Sequence, residues 1–486
     1  MSLKKVRDHH VQKILNDVNR LLANNSHIDA LKILYKELNI SPNLPVLINK
    51  TAIIEAKNGQ LEKSHALFKK LIKISNHSSY KYNFANLLVL QEKHNDALSI
   101  FRKITSDEPE NFKFNREYGV ILLKLGQSNR AVEAFHKALQ INNQDYDVIF
   151  SYSTALIMNG QLELGWKLYE NRFKHSIFFK EVGVASRAIS SGNLPKYNGE
   201  DLSNKSLLIH DEQGYGDFIH VMRYFLLLKN KYRKLNIYVV CKQPLVKLLL
   251  HHDQITAVYS YEQQTEINAI HADYWDFIMS IPKYFEKSYV SFNHLVPYIN
   301  HKKELKTELK KLLSDSKINI GISYHGNPNY MNEKYRSLGS LKKFSEILAL
   351  KECNFIYLDI DNIEEQKKQL GLNIQTTDAI HSFDDTYSII KKLDLVISTD
   401  TAIVHLAGAA GAKCWVLLSG ISASWIWGDF LKHTPRYPTL RLYRQDKPGD
   451  WNAVFKEVLS DLRVFVEKKL VFSSRTKFKI WKSFHR

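Results

Sequence analysis

The sequence predicts a multidomain protein, in which an all-α array of helical repeats precedes an α/β region with two parallel sheets. Three observations lead to this fold class. The 486 residues, 44% of them hydrophobic, are enough for more than one core. Small residues recur every 33 or 34 positions in the first third. The remainder alternates short apolar runs with helical patterns, as crossover-connected parallel strands do.

The repeat pairs a small residue with a large one four positions later. These pairs are Ala30 with Leu34, Ser64 with Phe68, Ala97 with Phe101, Ala131 with Phe135, and Gly165 with Tyr169. The small residue lets two helices approach, and the large one fills the same face one turn on. The period resembles the tetratricopeptide repeat, and predicts an array over residues 1–175. Its expected role is to bind a protein partner or a second copy of the chain; a structural spacer is the alternative.

The α/β region is expected to form two domains after a connector at 176–205. The first spans 206–310 and the second 311–467, with the Lys-rich stretch 301–317 at their boundary. The predicted strands are Ser206–His210, Asn236–Cys241, Ala257–Tyr261, Phe277–Ile281, Ile318–Tyr324, Asn354–Leu358, Leu395–Ser398 and Cys414–Leu418. Ligands of such sheets bind at the carboxyl ends of the strands. Three loops at those ends are therefore expected to face one cleft.

The first loop joins the strand at Ser206–His210 to a helix expected near Phe218. It contains a glutamine and two glycines, Gln213, Gly214 and Gly216. Glycines there let backbone N–H groups approach a ligand closely. Asp217 is either the N-cap of the helix or a general base, with His220 one turn further along the same face.

The second loop follows the strand that starts at Ile318. Gly326 and Asn327, before a proline, mark a turn. Arg336 comes shortly after it, and its planar guanidinium suits a diphosphate. The alternative is a solvated surface arginine.

The third loop ends an apolar strand with Asp400 and Thr401 and opens a helix of small residues over Ala402–Ala410. The free N–H groups and positive dipole end of such a helix attract anions. His405 lies one turn after Thr401 on the same face. The alternative is a capping Asp/Thr pair and a partnered core histidine.

Together the loops resemble the heptosyltransferase-like glycosyltransferases of family 9, in the form that carries an N-terminal tetratricopeptide array. The resemblance covers residues 190–465. It is carried by Glu212-Gln213-Gly214-x-Gly216-Asp217, Gly326-Asn327-Pro328 with Arg336-Ser337, Asp400-Thr401-x-x-x-His405-Leu406-Ala407-Gly408, and Arg444-Gln445 with Asp450-Trp451. It implies a GT-B fold of two Rossmann-like domains. It also implies transfer from a nucleotide-diphosphate sugar as co-substrate, without a further cofactor.

The resemblance also implies roles for the loop residues. Asp217 corresponds to the catalytic base, Asp400, Thr401 and His405 line the phosphate–sugar region of the donor, and Arg336 is the cation for the leaving diphosphate. From its spacing, His220 is a second candidate catalytic group. The remaining loop residues are expected to bind the donor, namely Gln213, Gly214, Gly216, Gly326 and Asn327. The reaction is then a single in-line displacement that inverts the anomeric carbon and needs no metal. Asp359-Ile-Asp361 resembles the metal-binding Asp-x-Asp of other glycosyltransferases, and is interpreted here as a helix cap.

Charge and composition suggest the partners of the protein and its location in the cell. A net charge of +18 favours anionic partners. The tail at 468–486 interleaves Lys and Arg with aromatic residues, as an anchor on an anionic membrane surface would; a solvated tail is the alternative. Nucleic acid is not expected, because no binding module is recognisable. Three widely spaced cysteines and the lack of an apolar leader suit the cytoplasm, where the tail would place the protein on the inner face of the membrane.

Two alternative functions stay open. Ile426 and Arg436 stand where similar transferases often carry Arg and Trp respectively, which motivates a non-catalytic scaffold with a degenerate GT-B region. A protein O-glycosyltransferase shares the architecture of repeats and sheets. The sugar, the nucleotide base and the class of acceptor are likewise left open by the residues.

Overall fold

The structure is a computed structural model that describes residues 3–174, 194–288, 295–299, 304–330, 332–430 and 432–484, with side chains from residue 8 to residue 471 of these ranges. The chain divides into two compact units. The first comprises Met1–Leu125 and Glu133–Gln144, and the second Gly126–Val132 and Asp145–Arg486.

In its described residues the first unit consists of helices and the turns between them, so the predicted helical repeat is confirmed. The helices are α1 Leu3–Ala23, α2 His27–Ile40, α3 Pro45–Lys57, α4 Leu61–Ile74, α5 Ser78–Leu90, α6 His94–Asp107, α7 Phe112–Lys124 and α8 Ser128–Ile141, the last of which starts in the second unit. The small residues Ala30 and Ala97 and their large partners Leu34 and Phe101 are buried in one core. Neighbouring helices thus bury apolar faces that a single pair would leave exposed.

The turns within the helix pairs share one backbone conformation. Gly59 has φ +78°, in the left-handed region that glycine adopts without strain. Glu92 holds the equivalent place in the next repeat and takes φ +61°. A side chain in this conformation costs about 1 kcal/mol. The tight turn is therefore retained in the described repeats of the first unit, including the two that lack the glycine, where Asn25 (φ +57°) and Glu92 stand.

The last helix pair belongs to the second unit, which corrects the boundary drawn at residue 175. Helices α9 (Tyr146–Met158) and α10 (Leu162–Tyr169) are followed by a 3-10 turn at Glu170–Lys174. Trp166 and Tyr169 lie in the same hydrophobic core as Leu207 of the first sheet. The apolar face of this pair is buried against the sheet region, and sequence periodicity does not show which neighbour covers a face.

The first sheet has four parallel strands in the order β3-β2-β1-β4. They are β1 Ser206–His210, β2 Asn236–Cys241, β3 Ala257–Ser260 and β4 Tyr274–Phe277, with helices α11 Tyr215–Val221, α12 Arg223–Lys231, α13 Gln243–Leu249 and α14 Gln264–Asn268. The strand expected at Phe277–Ile281 was wrong. The strand ends at Phe277, and Ile278–Tyr284 forms a 3-10 helix that continues the same apolar run.

The second sheet has five parallel strands in the order β6-β5-β7-β8-β9. They are β5 Ile318–Ser323, β6 Cys353–Tyr357, β7 Leu395–Thr399, β8 Cys414–Leu418 and β9 Leu440–Arg444. Strands β5, β7 and β8 are buried at every residue, as expected where helices cover both faces of a parallel sheet. Residues of both sheets contribute to one continuous core.

The helices of the second sheet are mostly short. They are α15 Thr307–Lys310, α16 Glu333–Arg336, α17 Ser345–Leu348, α18 Glu364–Leu370, α19 Phe383–Ile390 and α20 Ala402–Ala409, with 3-10 turns at Leu341–Phe344 and Trp425–Trp427. The final helix, α21, runs from Trp451 to Phe484, past the predicted domain boundary at residue 467. Most side chains of the predicted anchor at 468–486 lie outside the described residues. Within the described part, no helix is both long enough and apolar enough to cross a bilayer.

Candidate functional site

Helices α11 and α20, which follow the carboxyl ends of β1 and β7, pack directly against each other. A Cβ atom placed on Gly216 would lie 2.7 Å from Cδ2 of His405 and 3.4 Å from the Cα of Ala402. Only glycine allows so close an approach. The structure thus brings the first and third predicted loops together. We call the region around Asp217, Arg336, Asp400 and His405 the junction site.

Asp217 is not the N-cap of α11, as one interpretation of the sequence had it. The helix begins at Tyr215, because Gln213 turns the chain with φ +63° and Gly214 takes the capping position. Oδ2 of Asp217 accepts a hydrogen bond of 3.1 Å from the N–H of Gly214. Oδ1 makes no hydrogen bond to any described residue, so one carboxylate oxygen supports the loop while the other is available to a ligand.

Burial raises the pKa of Asp217 to about 6. The N–H of Gly214 and the charges of Arg336 and Lys242 oppose the increase, and the nearby carboxylate of Asp400 adds to it. Burial also raises the pKa of Asp400, against the charge of Arg336. Two carboxylates therefore lie within electrostatic reach of one arginine.

Arg336 is half-buried and held by its own loop. Its Nε donates to Glu333 at 2.6 Å, and its guanidinium lies 4.4 Å from the ring centre of Tyr330. The N–H of Gly326 donates to Glu333 at 2.5 Å, which ties the turn to the same carboxylate. Asn327 is exposed, and its side chain accepts the N–H of Asn329, so in this structure it stabilises the turn.

Thr401 is the N-cap of α20, as the alternative interpretation had it. Its Oγ1 accepts the N–H of Ile403 at 3.3 Å and lies 3.2 Å from Oγ of Ser398. Asp400, 5% exposed, precedes it at the end of β7. The carboxylate and the helix N-terminus are thus adjacent at the carboxyl edge of the second sheet.

His405 is buried and stays neutral at physiological pH. Its ring stacks on Trp427 with 5.2 Å between centres and 12° between planes, and Nδ1 lies 3.1 Å from the hydroxyl of Tyr437. Burial lowers the pKa of His405 to about 3, with further lowering from the charges of Arg223 and Arg336. A neutral imidazole has one N–H donor and one acceptor nitrogen.

His220 lies behind the junction site, which corrects its expected role as a catalytic group. It is fully buried, with Nδ1 2.9 Å from the Tyr437 hydroxyl and Nε2 3.4 Å from Nη1 of Arg436. Burial lowers its pKa well below the ordinary value. Arg436 is itself buried and pairs with Glu286 at 2.5 Å. Both nitrogens of the imidazole face protein groups, so His220 has no face for a substrate.

The last helix pair supports the first loop, a contribution that the sequence did not reveal. Arg172 is fully buried and binds Glu212 through two nitrogens, at 3.0 Å and 2.7 Å. The side-chain amide of Gln213 donates to the hydroxyl of Tyr169. Gln213, predicted to bind the donor, is thus engaged with α10. In the sequence, an arginine shortly after the last repeat was the only sign that the last helix pair contacts this loop.

Three residues at the ends of β5 and β6 could hold a divalent cation. Ligand atoms of His325, Asp359 and Asp361 lie within 4.8 Å of one another. In this structure Asp359 accepts from Ser323 at 2.7 Å, and Asp361 contacts His325 at 3.0 Å. The hydrogen bond to Asp361 raises the pKa of His325 to about 9, so the imidazole is protonated here, and a cation would have to displace that proton.

The interpretation of Asp359-Ile-Asp361 as a helix cap was wrong. Helix α18 begins three residues after Asp361, and the side chain of Asn362 accepts the N–H of Glu364. The two aspartates instead bind the loop that follows β5. The expectation that the reaction needs no metal stays a prediction.

Comparison with known proteins gives limited relationships. No protein-family model matches the chain. Protein FlbA of Caulobacter vibrioides is 24% identical over 373 residues, which are 71% of this chain and 60% of FlbA. The chain therefore spans about 60% of the length of this curated relative.

Solved structures that resemble the chain cover roughly its first third. MamA from Desulfovibrio magneticus RS-1 is 17% identical and covers 36% of this chain and 95% of its own, with a TM-score of 0.29. YrrB, described as a TPR protein with an unusual peptide-binding site, is 14% identical over 36% of this chain and 90% of its own, with a TM-score of 0.30. A thermophilic TPR protein of Thermus thermophilus is 16% identical over 37% of this chain and 97% of its own, also with a TM-score of 0.30.

Proposed function

We propose that the protein is a metal-independent, inverting glycosyltransferase of GT-B type that uses a nucleotide-diphosphate sugar. The observation that carries the proposal is the contact between Gly216 and His405. It joins the carboxyl ends of two parallel sheets and puts Asp217, Arg336 and Asp400 at one place. Ligands of open α/β sheets bind at such edges.

The reaction assigns a separate task to each group. Oδ1 of Asp217 takes the proton of an acceptor hydroxyl while that oxygen forms a bond to the anomeric carbon. The bond from this carbon to the diphosphate oxygen breaks, and negative charge collects on the leaving group. Arg336 and the N-terminal N–H groups of α20 stabilise that charge. Attack from the face opposite the leaving group inverts the anomeric carbon.

The pKa of Asp217 suits a general base. At about 6 it leaves the carboxylate mostly ionised at pH 7, yet more basic than an ordinary aspartate. Burial causes the shift, as in other enzymes that run acid–base chemistry near neutral pH. A carboxylate that only capped a helix would not need a raised pKa.

The repeats recruit the acceptor, a protein partner or a second copy, in the manner of tetratricopeptide arrays. An open surface pocket of about 630 Å³ in the first unit supports this assignment. Helices α5 and α7 supply most of its lining, including Tyr82, Asn83 and Phe114, and Asn111, the N-cap of α7, adds an amide. Aromatic and amide groups of this kind suit an extended peptide with a free backbone. The cytoplasmic location and the lipid affinity of the tail remain predictions from composition.

A non-catalytic scaffold is the second candidate. Ile426 is 1% exposed, and the guanidinium of Arg436 pairs with Glu286 inside the protein. Neither residue brings to the junction site the extra cation that similar transferases carry nearby. A scaffold would keep the fold and the repeats without turnover.

Ligand binding and donor hydrolysis test the proposal. Purified full-length protein is screened with nucleoside diphosphates by thermal shift, since a ligand of the native state raises its stability. Hydrolysis of the corresponding nucleotide sugar is then measured for wild type and Asp217→Asn. We expect diphosphate binding in both and hydrolysis in wild type alone. Asp29→Asn, which changes an aspartate at the same helical position in α2, is the matched control.

The outcomes separate the candidates. Binding without hydrolysis by wild type favours the scaffold. Hydrolysis that survives in Asp217→Asn removes Asp217 from the role of base. A folded protein that binds no nucleoside diphosphate contradicts the proposed function as a whole.

A further inference from the structure

A chain of buried polar groups leads from the interior of the second unit to His405. The hydroxyl of Tyr437 lies between two imidazoles, 2.9 Å from Nδ1 of His220 and 3.1 Å from Nδ1 of His405. Tyr437 and His220 are fully buried, and His405 is 4% exposed. The ring of Tyr437 packs against Gly408 in α20, where a Cβ would collide with it.

The number of protons fixes the direction of these hydrogen bonds. A tyrosine hydroxyl has one hydrogen, so it donates to one imidazole and accepts from the other. Arg436 approaches Nε2 of His220 with Nη1 at 3.4 Å, and a guanidinium can only donate. With Nε2 of His220 as the acceptor of this contact, the single proton of the ring is on Nδ1. His220 then donates to Tyr437, and Tyr437 donates to Nδ1 of His405.

Two contacts compete with this chain, and the one from Arg223 to Nδ1 of His220 is as long, at 3.4 Å, as the one from Arg436 to Nε2. Arg223 places Nη2 3.4 Å from Nδ1 of His220, but its Nε and Nη1 donate to backbone carbonyls at 2.9 Å. The hydroxyl of Tyr298 is 3.3 Å from that of Tyr437 and donates at 2.9 Å to the carbonyl of Ile219. The shorter contacts therefore run through Tyr437 to His405. Both imidazoles are neutral, because burial lowers the pKa of each.

The remaining proton of His405 is on Nε2, which faces the junction site. This nitrogen lies 3.5 Å from the Cβ position of Gly216. It makes no hydrogen bond to any described residue, although the side chain is almost wholly buried. Donors in such surroundings normally have an acceptor. The N–H at Nε2 is therefore available to a bound ligand.

We propose that Tyr437 and His220 are positioning residues that hold His405 as its Nε2–H tautomer, ready to donate to a phosphate oxygen of a bound nucleoside diphosphate. The ligand in this statement rests on the proposed function; the tautomer does not. Arg436 and Glu286 anchor the chain of hydrogen bonds from behind. With the other tautomer, His405 would present a lone pair to the anionic ligand and repel it.

Nitrogen-15 histidine NMR of the full-length protein reads the tautomer without a ligand, because protonated and bare ring nitrogens resonate far apart. The spectrum of His405→Gln identifies the signals of His405 by their loss. We expect a neutral His405 protonated at Nε2 in wild type, and a shift toward the Nδ1–H form in Tyr437→Phe. Tyr387→Phe is the control, since it removes a buried hydroxyl that donates to Ile299. A wild-type His405 protonated at Nδ1 overturns the proposal.

Calorimetric titration with ADP, UDP and GDP tests the consequence for binding. For whichever of these binds most tightly, we expect Tyr437→Phe to weaken the affinity about tenfold, the equivalent of about 1.4 kcal/mol, and Tyr387→Phe to leave it unchanged. Full affinity in Tyr437→Phe together with loss in His405→Gln contradicts the positioning role. Absence of binding by wild type contradicts the phosphate acceptor and the proposed function, while the NMR result still decides the tautomer.

Discussion

Replacing Arg172 by Met should destabilise the second unit strongly. The guanidinium is fully buried and makes two hydrogen bonds to Glu212, one to Ser280 at 2.7 Å and one to Glu170 at 2.7 Å. It also lies 4.1 Å from the ring centre of Phe173. The arginine thus joins the end of the last helix pair to the loop that carries Asp217.

The expected loss of stability follows from the charged group that stays buried in Arg172→Met. Glu212 is 3% exposed, and without Arg172 it keeps the N–H of Met279 at 3.1 Å as a partner. Removing one member of a buried ion pair costs about 3–5 kcal/mol, because the other charge stays desolvated. Arg172→Lys retains the charge but not the two-pronged geometry, so an intermediate loss is expected. Adding Glu212→Gln to Arg172→Met should recover about 1–2 kcal/mol by removing the unpaired charge.

Urea unfolding, followed by circular dichroism and tryptophan fluorescence, measures these differences. Trp166 and Trp425 lie 5.2 Å apart beside this region and report its loss. Arg20→Met is the control: Arg20 pairs with Asp17 on the surface, where an ion pair contributes at most about 1 kcal/mol. The reasoning is refuted if Arg172→Met unfolds within about 0.5 kcal/mol of wild type, or if the double variant is no more stable than the single one.

Four further predictions concern charged groups. Asp217 must be ionised to act as a base, so donor hydrolysis should fall as the pH drops through about 6; a rate that stays constant down to pH 5 contradicts this. Because the pKa of Asp217 is raised on folding, its ionisation opposes folding above that range; Asp217→Asn should therefore stabilise the protein at pH 7 and not below pH 4, as thermal unfolding at both values will show. The pKa of His325 is raised to about 9 beside Asp361, so its stabilisation is complete below pH 6.5 and disappears as the pH rises through 9; Asp361→Asn should flatten this dependence in urea unfolding, and an unchanged slope would disprove it. Glu286→Gln leaves the guanidinium of Arg436 buried without its counter-charge and should cost about 3 kcal/mol, visible as a lower unfolding midpoint.

Much of the fold was predictable where local pattern and burial agree. Strands β2 and β8 have the predicted bounds. Strand β8 is an unbroken apolar run that is buried at every residue, as a covered parallel strand requires, and β2 is buried at four of its six residues. Strand β9 was missed because its sequence, Leu-Arg-Leu-Tyr-Arg, alternates apolar and basic residues and lies at the edge of the sheet. Strand β4 was displaced because the apolar run around Phe277 continues into a 3-10 helix. Hydrophobicity marks what is buried but not which backbone conformation buries it.

In the candidate site, too, local features were predictable and contacts between distant residues were not. The spacing of Asp400, Thr401 and His405 predicted a helix start and a common face, both of which are local properties of the chain. The partners that define the chemistry are remote: Tyr437 lies 32 positions from His405 and 217 from His220. No periodicity links residues so far apart, because their contact depends on how two sheets pack.

The amino-acid sequence by itself determined the helical repeat, most of the parallel strands and the loops at their ends, because each depends on interactions within a few residues. Only the tertiary structure decided that the last helix pair joins the sheets, that Arg436 pairs with Glu286 in the interior, and that His405 presents one nitrogen to the junction site. These outcomes depend on burial. Burial sets which charges must be paired and which protons are held, and it exists only once distant segments have packed.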